Sequence, residues 1–375
     1  MTDIGFVRSH LVEARPAPVR TSGLVAWTRK NLFATPLDTI LTLLGAWFLV
    51  WAVPPLFNFI IANAVPPGAL PEACKAPGAG ACWAYVWSEM EFFIYGFYDI
   101  PEQWRPNIVF ALGAALLIPL LMPKAPFKRT NAVLFLVVFP VVSYFLLHGG
   151  VFGLRVIPTE KWGGLLVTLI ISVVGITLSF PLGILLALGR QSKLPIIKSV
   201  CVAFIELIRA VPLITILFMA SIMLPLFMPQ GTSVDKLLRA LVGVTLFTSA
   251  YMAEVVRGGL QAIPRGQYEA ASALGLGYWQ RMFFIILPQA LKHVIPGIVN
   301  SFISLFKDTS LVYIVGMKDL LEAVKTKNDS AIEWQAPNTA TTGYLFAAAV
   351  FWIFCFSMSR YSRFIEARLN TGYKR

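Results

Sequence analysis

The run from Trp162 to Leu188, WGGLLVTLIISVVGITLSFPLGILLAL, contains no charged side chain. A stretch of that length and polarity matches the hydrocarbon core of a bilayer, which takes roughly 20 helical residues to cross. In lipid the backbone must satisfy its own hydrogen bonds, and a helix does so within one segment. Comparable runs recur at Leu37–Ile61, Ile108–Met122, Ala132–Leu147, Ile196–Phe218, Leu237–Val256, Val294–Val315 and Thr341–Met358. The chain is 57% hydrophobic and 13% charged, whereas soluble domains are about a quarter charged. These features predict an all-α polytopic membrane protein with about eight transmembrane helices. The opening residues MTDIGFVRSHLVEARPAPVR are polar and lack the apolar core of a cleavable signal peptide.

A net charge of +12 raises the question of nucleic acid, and its distribution argues against it. Arg8, Arg15, Arg20, Arg29 and Lys30 precede the first apolar run. Lys124, Lys128 and Arg129 fill one short connection, Arg190, Lys193 and Lys198 another, and Arg360, Arg363, Arg368, Lys374 and Arg375 the tail. The stretch from about 62 to 107 instead carries Glu72, Glu89, Glu91, Asp99 and Glu102 against Lys75 and Arg105. Basic connections alternating with acidic or neutral ones follow the positive-inside rule. The expected topology has both termini in the cytoplasm of a bacterial inner membrane. It comprises a cytoplasmic segment 1–36, a three-span extension 37–155 with a periplasmic loop at about 62–107, a five-span core 156–360, and a basic cytoplasmic tail 361–375. Cys74 and Cys82 are the cysteines outside the spans and share that outer loop, an oxidising setting that predicts a disulfide between them.

One stretch of the core is neither loop-like nor able to span. EAASALGLGYWQRMFFIILP, Glu269 to Pro288, falls in a cytoplasmic connection of about 258–290. Gln267, Glu269, Ala270, Ala271, Ala273 and Leu274 mostly suit a short helix over Gly266–Leu274. Glu269 is expected in its first turn, where a negative charge favours the dipole, and Gly275 is expected to end it. Trp279, Met282, Phe283 and Ile286 then fall at helical spacing on one apolar face, before Pro288 and Pro296 punctuate the return to the membrane. Physically this is a small helix held at the membrane surface. Its alanines leave room for another surface, and an ordinary interfacial re-entry helix would read the same way.

The spacing adds more. Glu269-Ala270-Ala271, then Gly275, then Ile285, Leu287 and Pro288 resembles the EAA loop of type I ABC importer permeases, over roughly Trp162 to Met358. The flanking RGGLQAIPRGQ and PQALKHVIPGIVNSFISLFKDTSLV resemble the polar amino-acid branch. KNLFATPLDT, GACWAYVW and SRYSRFIEARLN extend the similarity to the M subunit of general L-amino-acid permeases, the Aap/Bzt type. The resemblance implies that the five-span core is an ABC type I importer core. It also implies that the Glu269 stretch is a coupling helix docking on a cytoplasmic ATPase. The chain has no G-x-x-x-x-G-K-[ST] phosphate loop, so ATP and Mg are expected on a separate ATPase chain, present in two copies. The other implied partners are a second homologous permease subunit, in a heterodimer, and a periplasmic amino-acid-binding protein. Neither a cofactor nor catalysis is expected in this chain.

Ionisable residues inside spans are functional hypotheses by default. Arg209 lies eleven residues past Lys198, about 16 Å along a straight helix, which places it near mid-membrane with Glu206 one turn away as its partner. The pair suits the carboxylate and ammonium of an amino acid, or it is a self-satisfied ion pair at a helix interface. Glu254 and Arg257 are expected as a second pair near the cytoplasmic boundary, structural or lining a gate. Lys307, Asp308 and Thr309 belong to the KDTSL segment shared with the family and are expected to face the bundle interior along the pathway. His10, His148 and His293 are too scattered for a metal site. The rival functions are an ABC importer for another small polar solute, such as an opine, and an ion-coupled secondary transporter.

Overall fold

The structure, a computed structural model, describes residues 23–122, 124–151, 153–229 and 234–369. The first 22 residues of the expected cytoplasmic N-terminus and residues 370–375 of the basic tail lie outside the described residues. The chain divides into two compact units.

The first unit holds the described residues up to Ala64 together with Gly78–Ala81. Helix α1, Leu24–Asn31, is followed by α2, Pro36–Phe57, which ends in a π-helical turn, Asn58–Ala62. Thr35 and Asp38 form a reciprocal capping box at the start of α2, and Pro36 takes a first-turn position where its missing N–H costs nothing. Gly80 and Ala81 donate to the carbonyls of Asn63 and Phe59 at 2.7 Å each. A Cβ on Gly80 would lie 2.4 Å from that Phe59 carbonyl oxygen, so this close approach requires glycine.

The second unit contains everything else described. The loop expected at about 62–107 is built rather than open. Short helices α3 (Pro71–Lys75), α4 (Trp83–Ser88) and α5 (Met90–Tyr95) fold around buried Tyr85, Phe93 and Tyr98. A disulfide joins Cys74 and Cys82, with Cα atoms 5.6 Å apart. Helix α6, Trp104–Leu121, leads to α7 (Lys128–Val133), a π-helical turn Leu134–Val138 and α8 (Phe139–His148). Helix α9 runs Gly164–Arg190 and α10 Pro195–Ala210. Then α11 (Leu213–Phe218), a π-helical turn and α12 (Leu224–Leu226) precede the long α13, Lys236–Gln261. The remainder is α14 (Arg265–Ala273), α15 (Tyr278–Arg281), α16 (Leu287–Asp308), α17 (Leu320–Ser330) and α18 (Thr339–Leu369).

Among the described residues seven helices are long and apolar enough to cross a membrane, or eight if one bent pair counts as a span. That pair corrects the expected straight span at Ile196–Phe218. The axes of Pro195–Ala210 and Leu213–Leu226 differ by 102°. Pro212 causes the break, because a proline pushes the preceding residue out of helical geometry; Val211 is extended, at φ −110 and ψ 135. Pro288 and Pro296 do the opposite of what was expected. Tyr278–Val315 is one continuous helical path, with Pro296 inside α16 and Pro288 entered through a π-helical turn, Met282–Ile286. Such a turn absorbs the clash a proline would make with the carbonyl four residues back.

Small residues set the spacing of the spans. A Cβ on Gly183 of α9 would lie 2.6 Å from the side chain of Met252 on α13, and one on Gly259 of α13 2.6 Å from the Ala290 carbonyl of α16. Close approach of this kind is how helices associate in lipid, where apolar burial supplies little drive. The α9, α10, α13 and α16 faces meet in a core of Ala187, Ile205, Met252, Val256, Ile286 and Ala290.

Candidate functional site

Helix α14 begins at Arg265, one residue earlier than expected, so Glu269 lies past its first turn, which holds no acid. The expected dipole contact is therefore absent. Its end is as Gly275 suggested. Gly275 has φ +73, its N–H bonds to the Ser272 carbonyl at 3.0 Å, and the Leu276 N–H bonds to the Ala271 carbonyl at 3.3 Å. This double closure is the Schellman arrangement. Gly266, Gln267, Glu269 and Ala270 are exposed, and Leu274 is 75% exposed.

Ala271 departs from the expected role. It is 1% exposed, packed into its own chain rather than offered to another. The helix periodicity explains this: Ala271 and Tyr268 share a face three residues apart, and Tyr268 packs into the α13–α16 core and donates to the Leu260 carbonyl at 3.2 Å. Burial pushes the Tyr268 hydroxyl up from its ordinary range. The stripe expected to anchor the following helix splits. Met282 and Ile286 are buried, while Trp279 and Phe283 stack on each other at 5.6 Å and remain more than half exposed. Gln289 on α16 donates to the Gln267 side chain at 3.1 Å, and Arg281 reaches Ser272 at 2.5 Å. Helix α14 is thereby tied to the helical path Tyr278–Val315.

The second constellation lies between α9, α10 and α13. Glu206 does not pair with Arg209. It pairs with Arg190, the last residue of α9, at 2.8 Å. Arg209 instead faces Glu254 at 3.7 Å and sits over the Tyr251 ring at 5.6 Å. Glu254 also meets Arg190 at 2.9 Å and Arg257 at 2.8 Å, and Arg257 continues to Gln261 at 2.9 Å. One carboxylate, 15% exposed, thus holds three guanidinium groups. Lys198 to Arg209 is an unbroken helix, as expected, but Arg209 reaches Glu254, which also holds Arg190 at the end of α9. Arg209 lies at the level where α9 ends. Arg190 was counted only as a topology-setting charge; Glu206 and Glu254, each needing a partner, were the signal that could have found it.

Lys307, Asp308 and Thr309 are not part of this cluster. They close α16, about 27 Å along the helix from Ala290. Thr309 is buried and donates to the Phe306 carbonyl at 2.8 Å, Asp308 is half-buried, and Lys307 is exposed. At that end of the molecule Asp319 caps α17, accepting from the Leu321 and Glu322 N–H groups at 3.2 and 3.1 Å. Burial pushes its carboxyl from 3.8 up to about 6. Among the described residues no group of three or more His, Cys, Asp or Glu could hold a metal ion.

The family described as binding-protein-dependent transport system inner membrane component matches residues 179–371. The chain is 49% identical over 358 residues to the inner membrane amino-acid ABC transporter permease protein YhdY of Escherichia coli K12, covering 96% of each. It is 39% identical to the glutamate/glutamine/aspartate/asparagine transport system permease protein BztC of Rhodobacter capsulatus, covering all of both chains. Among solved structures, a chain from an amino acid ABC transporter with histidines aligns with 55% of this chain and 92% of its own, at 29% identity and a TM-score of 0.48.

Proposed function

Because the chain belongs to the family of inner membrane components of binding-protein-dependent transport systems, we propose that it is the transmembrane subunit of an ATP-driven importer for L-amino acids. Membership in that family sets aside the ion-coupled secondary transporter. The amino-acid substrate is favoured over an opine-like solute by the two relatives that match nearly the whole chain, both named for amino-acid transport. The observation that carries the mechanical part is α14: a nine-residue helix with an exposed face of small residues, closed by Gly275 and bonded to the head of a span.

In this reading the α14 end faces the cytoplasm and the Cys74–Cys82 end the periplasm, with both termini cytoplasmic, as the basic connections require. Two copies of a separate ATPase chain, carrying ATP and Mg, dock on α14 of this subunit and of a second permease subunit. A periplasmic amino-acid-binding protein delivers substrate to the opposite end. The Arg190–Glu206–Arg209–Glu254–Arg257 cluster lies toward the ATPase end and acts as a gate, its pairs exchanging between two arrangements. Glu254 has more cationic partners than it can hold closely, so a small helix shift redistributes them. Inward release follows from the difference in substrate affinity between the two states.

The test is uptake of a panel of labelled L-amino acids into vesicles holding the reconstituted complex. ATP- and binding-protein-dependent uptake of several of them is expected. Uptake that persists without the ATPase, or that follows an ion gradient, overturns the reading.

A further inference from the structure

We propose that a groove between the α6–α7 connection and the end of α18 is a seat for one anionic phospholipid. The groove is a cavity of about 990 Å³ lined by Pro119, Met122, Pro126 and Phe364, with Lys124 and Arg368 also on its wall. Its accessible lining is overwhelmingly apolar, and no Asp or Glu is among the described residues that line it. It opens where two membrane-crossing helices, Ile100–Leu121 and Thr339–Leu369, both end.

Each half of this arrangement selects part of the ligand. An apolar trough at the end of two spans lies where an acyl chain enters the bilayer. A soluble anion gains nothing from it, because apolar surface rewards only apolar cover. The two cations sit where a headgroup phosphate lies, and basic pockets between spans hold anionic headgroups in this way. Among the flanking residues Lys128, Arg129 and Arg363 outnumber Glu366, so the local charge stays positive. A neutral or zwitterionic lipid fills the trough equally well but forgoes the charge contact, so the discrimination is for net negative charge. Met122 is extended, at φ −78 and ψ 125, which keeps α6 from continuing straight into α7 and holds the trough open.

The experiment is native mass spectrometry of the assembled transporter purified in mild detergent, with phosphatidylglycerol, phosphatidylethanolamine or inorganic phosphate added. Retention of phosphatidylglycerol over phosphatidylethanolamine is expected. Each basic residue near a membrane surface contributes about fivefold to anionic-lipid affinity, so Lys124→Glu with Arg368→Glu should lower retention by at least about 30-fold. Lys30→Glu, a charge reversal on exposed α1, should leave it unchanged. Ala367→Trp, which fills the groove and keeps both cations, should also release the lipid, and it decides the matter if the charge-reversed protein fails to assemble. The proposal is overturned if inorganic phosphate competes as well as the lipid does, since the site would then be for a free anion. It is equally overturned if Lys30→Glu matches the double variant, or if Ala367→Trp retains lipid like the wild type.

Discussion

Gly275 offers a perturbation whose cost is isolated by the structure. Its φ of +73 is in the left-handed region, and a Cβ built there meets nothing within 4 Å. Any penalty for a side chain is therefore backbone strain alone, with no packing contribution. An ordinary L-residue in that region loses about 1–2 kcal/mol, whereas asparagine tolerates it. A β-branched residue stands beyond the ordinary range, because it is a true outlier there. The series Gly275→Asn, Gly275→Ala and Gly275→Val is thus ordered by strain at one unobstructed site. If α14 docks a partner in the shape seen here, the strain falls on the docked conformation. Every 1.4 kcal/mol is then about tenfold in recruitment. Asparagine should be near neutral, alanine should lose several-fold, and valine at least tenfold. The assay is co-purification of the ATPase with the permease pair, followed by substrate-stimulated ATP turnover in vesicles. Valine behaving as wild type refutes the reasoning. So does asparagine failing as badly as valine, which would mean that absence of a side chain, not the backbone angle, is what matters.

Four further outcomes follow from specific contacts. Ala270→Trp, on the exposed face of α14, should leave assembly and thermal stability intact while impairing ATPase recruitment, whereas Ala271→Trp should lower stability by about 1–3 kcal/mol through overpacking; a thermal-shift comparison of the two separates these effects. Glu254→Gln removes the shared counter-charge of Arg190, Arg209 and Arg257 and should cost about 1–3 kcal/mol, less than a fully buried pair because the site is partly wet. Arg209→Lys should restore little of the transport lost in Arg209→Ala, which uptake assays would show, because a point charge lacks the planar guanidinium that lies over Tyr251. Asp319, held at about 6 against 3.8, binds a proton more readily folded than unfolded; its contribution is complete below about pH 4 and is lost as pH rises to about 6. The slope is worth at most about 3 kcal/mol, and Asp319→Asn, which keeps the cap, should flatten it in pH-dependent unfolding.

The number and order of spans were legible because each needs a long uncharged run, and few other structures tolerate one. The Gly275 stop was legible for a similar reason: one residue type serves that backbone angle. What escaped reading depended on direction. Glu206 and Arg209 are neighbours along a helix, and proximity in sequence suggested a pair. Yet both side chains found partners on α9 and α13, which sequence spacing cannot place. Distance along α10 alone puts Arg209 near mid-membrane, whereas its level is fixed by Glu254 on α13, which also holds Arg190 at the end of α9. Ala271 was misassigned because alanine suits a buried contact and an open docking face equally well. The folded segment around Tyr85 and Phe93 was hidden by the prolines and glycines before it. Its order comes from distant partners, with Tyr85 donating to Asn328 at 2.8 Å and the Cys82 N–H to Thr342 at 2.9 Å.

The burial of Ala271 changes what α14 can transmit. A helix of nine residues lying loosely on a membrane surface would tilt or fray under load, since so short a helix is marginal on its own. Here one face is locked: Ala271 and Tyr268 pack inward, Gln267 is bonded to Gln289, and Arg281 to Ser272. Gln289 belongs to α16, which is continuous back through the π-helical turn to Tyr278. Gly259 of α13 rests against the Ala290 carbonyl with no room for a methyl group. A push on the exposed face therefore reaches α16 and α13 without an intervening flexible joint, and α13 carries Glu254 and Arg257. In the proposed transporter, movement of the ATPase would arrive at the charged cluster as a rigid displacement of one wall. Gly183 of α9 packs on Met252 of α13 as closely, so Arg190 travels with that wall, and Glu206 and Arg209 stand on the other, on α10. The bonds that break are then those between walls, Arg190–Glu206 and Arg209–Glu254, while Glu254–Arg257 and Arg190–Glu254 travel intact.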